Sequence, residues 1–220
     1  MLSDEARADF GLPDPANCSG SIMQVSTSSP RDLRPSHFKS PKCRGLVAIP
    51  VHDVLLRHAL EQASLDSSVQ EIHYRDGPLL ECPRVSLAGV VLRTEVGAFL
   101  LRAQEVRPEY SEKDDARRKF VLRNYGLQLL ERDAQDILRE PMHSNARNVW
   151  SHAGERVSLT DRLRLSVALN AGPQRIVELE ERVRLDCDVV AAICVLACEN
   201  LVQLRLCDAP LGPETIVVEA

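Results

Sequence analysis

Three cations and no acid stand between Phe38 and Gly45. Lys39, Lys42 and Arg44 lie in the run SHFKSPKCRGLVA, residues 36–48. Point charges so grouped suit phosphate oxygens; a solvated linker would carry them equally well, and the residues alone leave both readings open. The second stretch with chemical potential is Glu81 to Pro108, ECPRVSLAGVVLRTEVGAFLLRAQEVRP. It reads as a β-hairpin, with strands over Val85–Arg93 and Ala98–Arg107 and a turn over Thr94–Gly97, where Gly97 accepts positive φ at little cost. A hairpin of this kind can hold acidic groups at its strand ends, where a divalent ion could sit.

Other chemistries find no support. The six histidines, His37, His52, His58, His73, His143 and His152, form no HExxH or HxH spacing, so the zinc-hydrolase pattern is missing. Serine, histidine and aspartate are all present without a GxSxG elbow. There is no Walker A or GxGxxG loop. The seven cysteines are odd in number and include no CxxC pair, which argues against a zinc knuckle and suits a reducing compartment. Cys187, Cys194 and Cys198 recur at helical spacing in an apolar run and read as small core residues.

The elements that must position such groups follow from the periodicity. Residues 1–35 contain four prolines and a serine run, and read as a disordered arm. Val51–Leu65 has an apolar stripe of Val54, Leu55, Ala59 and Leu60, which predicts a helix with Arg57, His58, Glu61 and Gln62 largely on its other face. Val69–Arg75 alternates as a strand and Asp76-Gly77-Pro78 turns the chain into the hairpin. Ser111–Tyr125 reads as a second helix, capped by Ser111, acidic in its first turn and basic later, with Ala116, Phe120 and Val121 inward. Gly126 stops it, Leu127–Glu131 follows as a buried strand, and Asp133–Arg139 as a short helix or turn. Helix, strands, helix and strand predict an α/β fold with a mixed sheet over residues 36–141.

Residues 142–157, with the single Trp150, read as a connector. Residues 158–220 then give a helix over Leu159–Asn170 and another over Gln174–Val183. A third, capped by Asp186 or Asp188, runs to Glu199, and strands follow at Leu201–Cys207 and Thr215–Val218. Three helices and a hairpin make a small winged-helix layout. Its third helix, DVVAAICVLACEN, has no basic residue. A DNA-reading helix presents Arg, Lys, Asn or Gln to the groove, so this one is expected to be buried or to face a protein.

Charge is unevenly spread. The chain carries -5 overall, but Arg31–Arg57 has six basic residues against two acidic ones, and Gln174–Ala220 has four against nine. The front half therefore suits DNA and the acidic C-terminal part a protein partner. No stretch is long and apolar enough for a membrane span and no apolar signal core opens the chain, so a cytoplasmic protein without membrane contact is expected.

The order of several short motifs resembles the TnsA-like endonucleases of heteromeric transposases, which have the PD-(D/E)XK nuclease fold. Phe38-Lys39-Ser40-Pro41-Lys42 resembles the family's basic lead-in to its first helix. Asp53-Val54-Leu55-Leu56-Arg57 lies where the family has Glu-Ser-Leu-Leu-Glu, Pro83-Arg84 where it has Pro-Asp, and Glu105-Val106-Arg107 where it has Glu-Val-Lys. Leu127–Asp136, Pro141 and Asn145 resemble its closing strand and loop. The resemblance implies a restriction-endonuclease-like core followed by a winged-helix domain, with a transposase subunit or an ATPase as protein partner.

The same resemblance implies a damaged catalytic site. Phosphodiester hydrolysis by this fold needs two or three carboxylates around Mg²⁺. Glu105 matches the hairpin glutamate. Arg107 replaces the lysine and cannot act as a base, because its guanidinium stays protonated. Arg57 and Arg84 stand at carboxylate positions. Three cations around one anion would repel a divalent ion, so no metal or other cofactor is expected; Mg²⁺ enters only if the chain is an active nuclease with an altered site. Arg57, Arg84 and Arg107, with Lys39, Lys42 and Arg44, would instead contact DNA phosphates, or Glu105 would pair with the arginines as a structural network. A third reading is a non-enzymatic protein-binding adaptor.

Overall fold

The first ordered pairing joins β1 (Ser36–Phe38) to β2 (Ile49–Val51), antiparallel. In the computed structural model the described residues are 36–81 and 84–220, with the side chain of Leu46 left aside. The arm expected over residues 1–35, and Pro83 of the Pro-Arg motif, lie outside them. Between β1 and β2 the chain is part of the fold and no free linker: Phe38 is buried, and the Lys42 carbonyl accepts from the Ile72 N–H at 2.8 Å.

Helix α1 (Val54–Leu65) begins where the Asp53 carboxylate accepts from the Leu55 N–H at 3.0 Å, an N-cap worth about 1 kcal/mol. Strand β3 (Val69–Arg75) follows with the bounds its alternation predicts. The expected single hairpin is two hairpins. A small one pairs β4 (Leu79–Glu81) with β5 (Arg84–Ser86), and a larger one pairs β6 (Gly89–Thr94) with β7 (Gly97–Gln104). The break has a clear cause. The Arg102 guanidinium donates to the carbonyls of Ser86 at 2.6 Å and Ala88 at 3.0 Å, drawing those acceptors away from strand pairing, while Leu87 between them is buried. Gly77 lets the chain close on Leu87, since a Cβ there would lie 2.8 Å from the Leu87 Cβ.

Helix α2 (Glu112–Asn124) then crosses over to β8 (Gln128–Asp133), which runs parallel to β7. The sheet order is β3-β6-β7-β8, with the first two pairings antiparallel, so the expected mixed sheet is present. Strand alternation sends Val90, Leu92 and Leu101 to the face that packs on α1, and Val91 and Leu100 to the face that packs on Leu122 of α2. Both faces are covered, and each fully buried Leu or Ile contributes about 1.5–3 kcal/mol.

Two helix faces differ from the sequence expectation. On α2, Phe120 is exposed and Arg118 is buried. The guanidinium can go inside because it pairs with Glu131 at 3.3 Å and lies 3.8 Å from the Tyr110 ring centroid. On α1, Val54 is exposed while Glu61 and Gln62 are buried, for reasons that belong to the site below.

After the short α3 (Ala134–Ile137), the expected connector is helical: α4 (Met142–Ser151) packs on α1 and on the last of three C-terminal helices. These are α5 (Leu159–Leu169), α6 (Ile176–Arg182) and α7 (Val189–Cys198), begun respectively by the Ser158 cap, by Glu178 accepting from the Arg175 N–H at 2.9 Å, and by the Asp188 cap. A three-stranded antiparallel sheet has β11 (Ile216–Glu219) between β10 (Val202–Leu204) and β9 (Gln174–Arg175). From Ala192 to Cys198 every residue of α7 is buried. Cys194 and Cys198 are core residues as expected, and burial pushes their thiols up to about 11 and about 12. Cys187 is exposed because it precedes the Asp188 cap and so never joins the helix. Among the described residues no helix is long and apolar enough to cross a membrane.

Asn145 ties α4 to the loop after β10. Buried itself, it donates to the carbonyls of Leu206 at 2.7 Å and Ala209 at 2.8 Å and accepts from the Leu211 N–H at 2.7 Å. Removing a buried side chain that satisfies three backbone groups strands them. Asn145→Ala is expected to lower the unfolding free energy by about 2–4 kcal/mol, measured as a shift in the urea midpoint; an unchanged midpoint would mean that water replaces the amide without loss.

Candidate functional site

Strands β7 and β8 run parallel, with Gln104 opposite Asp133, so both leave the sheet at the same end. Glu105 is the first residue beyond β7. Its carbonyl accepts from the Ala134 N–H at 3.4 Å, and its exposed carboxylate has no ion-pair partner among the described residues. Arg107, two residues on, is held by acids from the other strand. Its Nη2 pairs closely with Asp136 and donates to the Glu131 carbonyl at 3.3 Å, and its Nε is 3.7 Å from Asp133. Asp133 is itself committed, accepting from the Asp136 N–H at 2.9 Å as the cap of α3.

Behind this pair, Arg132 donates to Gln62 Oε1 at 2.8 Å and to the Asp136 carbonyl at 3.0 Å, and Gln62 Nε2 donates to the Ile137 carbonyl at 2.7 Å. That network explains the burial of Gln62 on α1. Burial holds the Arg132 guanidinium below its ordinary range, opposed by Asp136, Asp66 and Asp133.

Arg57 lies in a different cluster, at the seam of α1 and α4. It donates from Nε to Glu61 Oε1 at 3.2 Å, one helical turn away. Arg147 Nη1 from α4 is 3.7 Å from Glu61 Oε2. With a side-chain exposure of 4%, Glu61 is a buried carboxylate between two arginines, the condition under which such burial is tolerated. The rings of His58 and His143 meet beside it, tilted by 56° with centroids 4.8 Å apart. His58 Nδ1, His143 Nε2 and Glu61 Oε2 are buried without a hydrogen-bond partner.

The DNA-contact candidates divide in the same way. Lys39 and Arg84 are exposed, and Arg44 is exposed with Glu71 at 3.8 Å. Lys42 turns inward: it is 7% exposed and its ammonium donates to the Asp66 carbonyl at 2.6 Å. Desolvation lowers its pKa, opposed by Asp66, so Lys42 is a structural residue rather than a surface charge. No hydrogen bond or ion pair among the described residues joins any two of Arg57, Arg84, Glu105 and Arg107. Arg57 and Arg107 each answer a separate set of acids.

Sequence reading missed the partners: Asp133, Asp136 and Arg132 at the strand exit, and His143 and Arg147 facing His58 and Glu61. The spacings that place each pair on one helix face are visible, His58 with Glu61 and His143 with Arg147. What cannot be read from spacing is that α1 and α4 lie side by side. Among the described residues no group of three His, Cys, Asp or Glu side chains is arranged to hold a metal ion. No family model, curated protein or solved structure matches the chain.

The histidines give the fold a pH dependence of definite sign. Desolvation lowers the pKa of His58, opposed by Glu61 and reinforced by His143, Arg147 and Arg57; desolvation likewise lowers that of His73, opposed by Glu71. The folded chain thus keeps both rings neutral where the unfolded chain, with an ordinary value of about 6.5, binds protons. Stability is full above that value and is lost as pH falls below it. The urea midpoint is expected to drop between pH 7 and pH 5.5, and to drop less in the double variant H58Q/H73Q. Equal drops in both proteins would remove these rings as the cause.

Proposed function

We propose that this chain is a TnsA-like, restriction-endonuclease-like protein whose pocket is rebuilt around arginine, acting without cleavage as a subunit of a DNA-bound transposition complex. The observation that carries this reading is the order of the core. Helix α1, three antiparallel strands, the crossover helix α2 and a fourth strand parallel to the third give the α-βββ-α-β sequence of that nuclease fold, with the helices on opposite faces. Glu105 then leaves β7 where a nuclease hairpin would offer its glutamate.

The residues present suit a divalent ion poorly. Arg107 takes up Asp133 and Asp136, the acids nearest to it, and Arg57 and Arg147 flank the buried Glu61. A Mg²⁺ ion would have to displace a guanidinium from each carboxylate set. Exposed Lys39, Arg44 and Arg84 supply the phosphate contacts in this reading, with Lys42 withdrawn to the interior.

The C-terminal part has the helix and strand order of a small winged-helix domain, yet its third helix is buried along most of its length. A buried α7 cannot enter a major groove, so this reading gives the C-terminal part a protein contact through its other surfaces, with a transposase subunit or an ATPase as the partner class.

A plasmid-nicking assay with Mg²⁺ and with Mn²⁺ should show no cleavage above background. Metal-dependent nicking abolished by Glu105→Gln would establish the runner-up, an active nuclease with an altered site. Duplex binding should weaken with salt, and the double variant K39E/R44E should bind more weakly, with a log–log salt slope shallower by about 1–2. An unchanged affinity would leave the N-terminal half of the core without its DNA role, and the chain would be an adaptor.

A further inference from the structure

Helix α5 is apolar on two sides. Leu165 and Leu169 are buried in the C-terminal core, as a surface helix requires. Leu159, Leu163 and Val167 recur every fourth residue on the outside, 72%, 58% and 68% exposed. Residues at this spacing form one continuous ridge over two turns, and a row of large apolar side chains in water marks an interaction surface more strongly than scattered ones do.

Beside the ridge runs a groove of about 710 Å³ between α5 and the chain leaving α6. Its charged lining residues are Arg164, Arg182 and Arg184, and no acid lines it. The positive charge is only partly answered. Arg164 donates to Asp161 at 3.1 Å and to the Arg184 carbonyl at 2.9 Å, with the exposed Asp186 at 3.8 Å. Arg182 donates to the neutral Gln174 amide oxygen at 2.8 Å, and Arg184 has no ion pair among the described residues.

We propose that this groove docks an amphipathic helix of a protein partner, with its apolar face on Leu159, Leu163 and Val167 and carboxylates on its flank toward the three arginines. The proposal names the surface and the chemistry of the partner contact put forward above, and it rests on that contact. The C-terminal part is acidic overall, but the charged residues lining the groove are all arginines, so the groove itself selects an acidic partner. A DNA backbone would engage the arginines while leaving the ridge in water, so the apolar row decides for protein.

The test uses the full chain and a fluorescein-labelled helical peptide of roughly 18 residues, five turns, with leucines at i, i+4 and i+7 positions, a few glutamates on the flank and alanines elsewhere. A second peptide has lysines in place of the glutamates, and a third probe is a labelled DNA duplex. The acidic peptide is expected to bind with a rise in anisotropy, and the lysine peptide at least about tenfold more weakly. Leu163→Ser and the double variant R182E/R184E should each weaken the acidic peptide by about tenfold or more. Both are expected to fold, since the changed side chains lie on the surface, and an unaltered Tm checks this.

Failure of the acidic peptide to bind, equal binding of the two peptides, or indifference to both variants would overturn the proposal. Duplex binding lost in R182E/R184E and retained in Leu163→Ser would assign the face to DNA instead. Wild-type dimers in sedimentation that Leu163→Ser dissociates would assign it to a second copy of the chain. Peptide binding that persists in K39E/R44E while duplex binding is lost separates this surface from the DNA contact, so the two can fail independently.

Discussion

The indole of Trp150 must bury a large ring and also satisfy its N–H, and here both demands are met where the two main cores join. Its ring packs against Phe38 with centroids 5.2 Å apart, and its Nε1 donates to the Glu61 carbonyl at 3.0 Å. It also belongs to the rim of both the sheet core and the C-terminal core. These contacts hold only if β1, α1 and α4 are fixed relative to one another. The same placement sets Arg147 and His143 of α4 opposite Glu61 and His58 of α1. The charged seam is therefore a consequence of where the indole sits, and α4 acts as structure in both halves rather than as a tether between them.

That constraint also explains why the basic stretch behaves as it does. With Phe38 anchored under Trp150 and the Lys42 carbonyl bonded to β3, the backbone from 36 to 43 has no freedom to act as a mobile arm. Alternation then sends Lys39 outward and Phe38, Ser40 and Lys42 inward. A lysine can be buried here because its ammonium reaches the carbonyl of Asp66 at the end of α1, where helix carbonyls lack partners. The chemistry available to the segment is thus set by its packing, and composition overstated the charge it offers to solvent.

Local signals carried much of the fold. The alternation of Val69–Arg75 gave β3 its bounds, Ser111 and Asp53 are the caps their side chains allow, and Gly126 ends α2. What failed were the placements of single side chains that depend on a distant partner. Arg118 is inside because Glu131 and Tyr110 receive it, and Phe120 is outside for the same reason. Val85–Arg93 is broken because Arg102 claims two carbonyls of that strand. Glu61 and Gln62 read as a solvent face until Arg147 and the Ile137 carbonyl are placed beside them. The candidate site was least legible, since no hydrogen bond or ion pair among the described residues joins Glu105, Arg57, Arg84 and Arg107, and Arg57 and Arg107 pair with separate acids.

Arginine pairs with carboxylate both at the exit of β7 and β8 and at the seam of α1 and α4. A cluster of acids at the exit of β7 and β8 repels itself unless a cation lies among them. In a metal-dependent enzyme the ion supplies that charge; here Arg107 supplies it covalently, between Asp133 and Asp136, and Arg57 and Arg147 do the same for Glu61. A guanidinium is permanently charged and offers several donors in a plane, so it neutralises the acids at every physiological pH and metal concentration. Without Arg107 between them, Asp133 and Asp136 would repel one another. The arginines thus hold these carboxylates within the fold by a permanent charge.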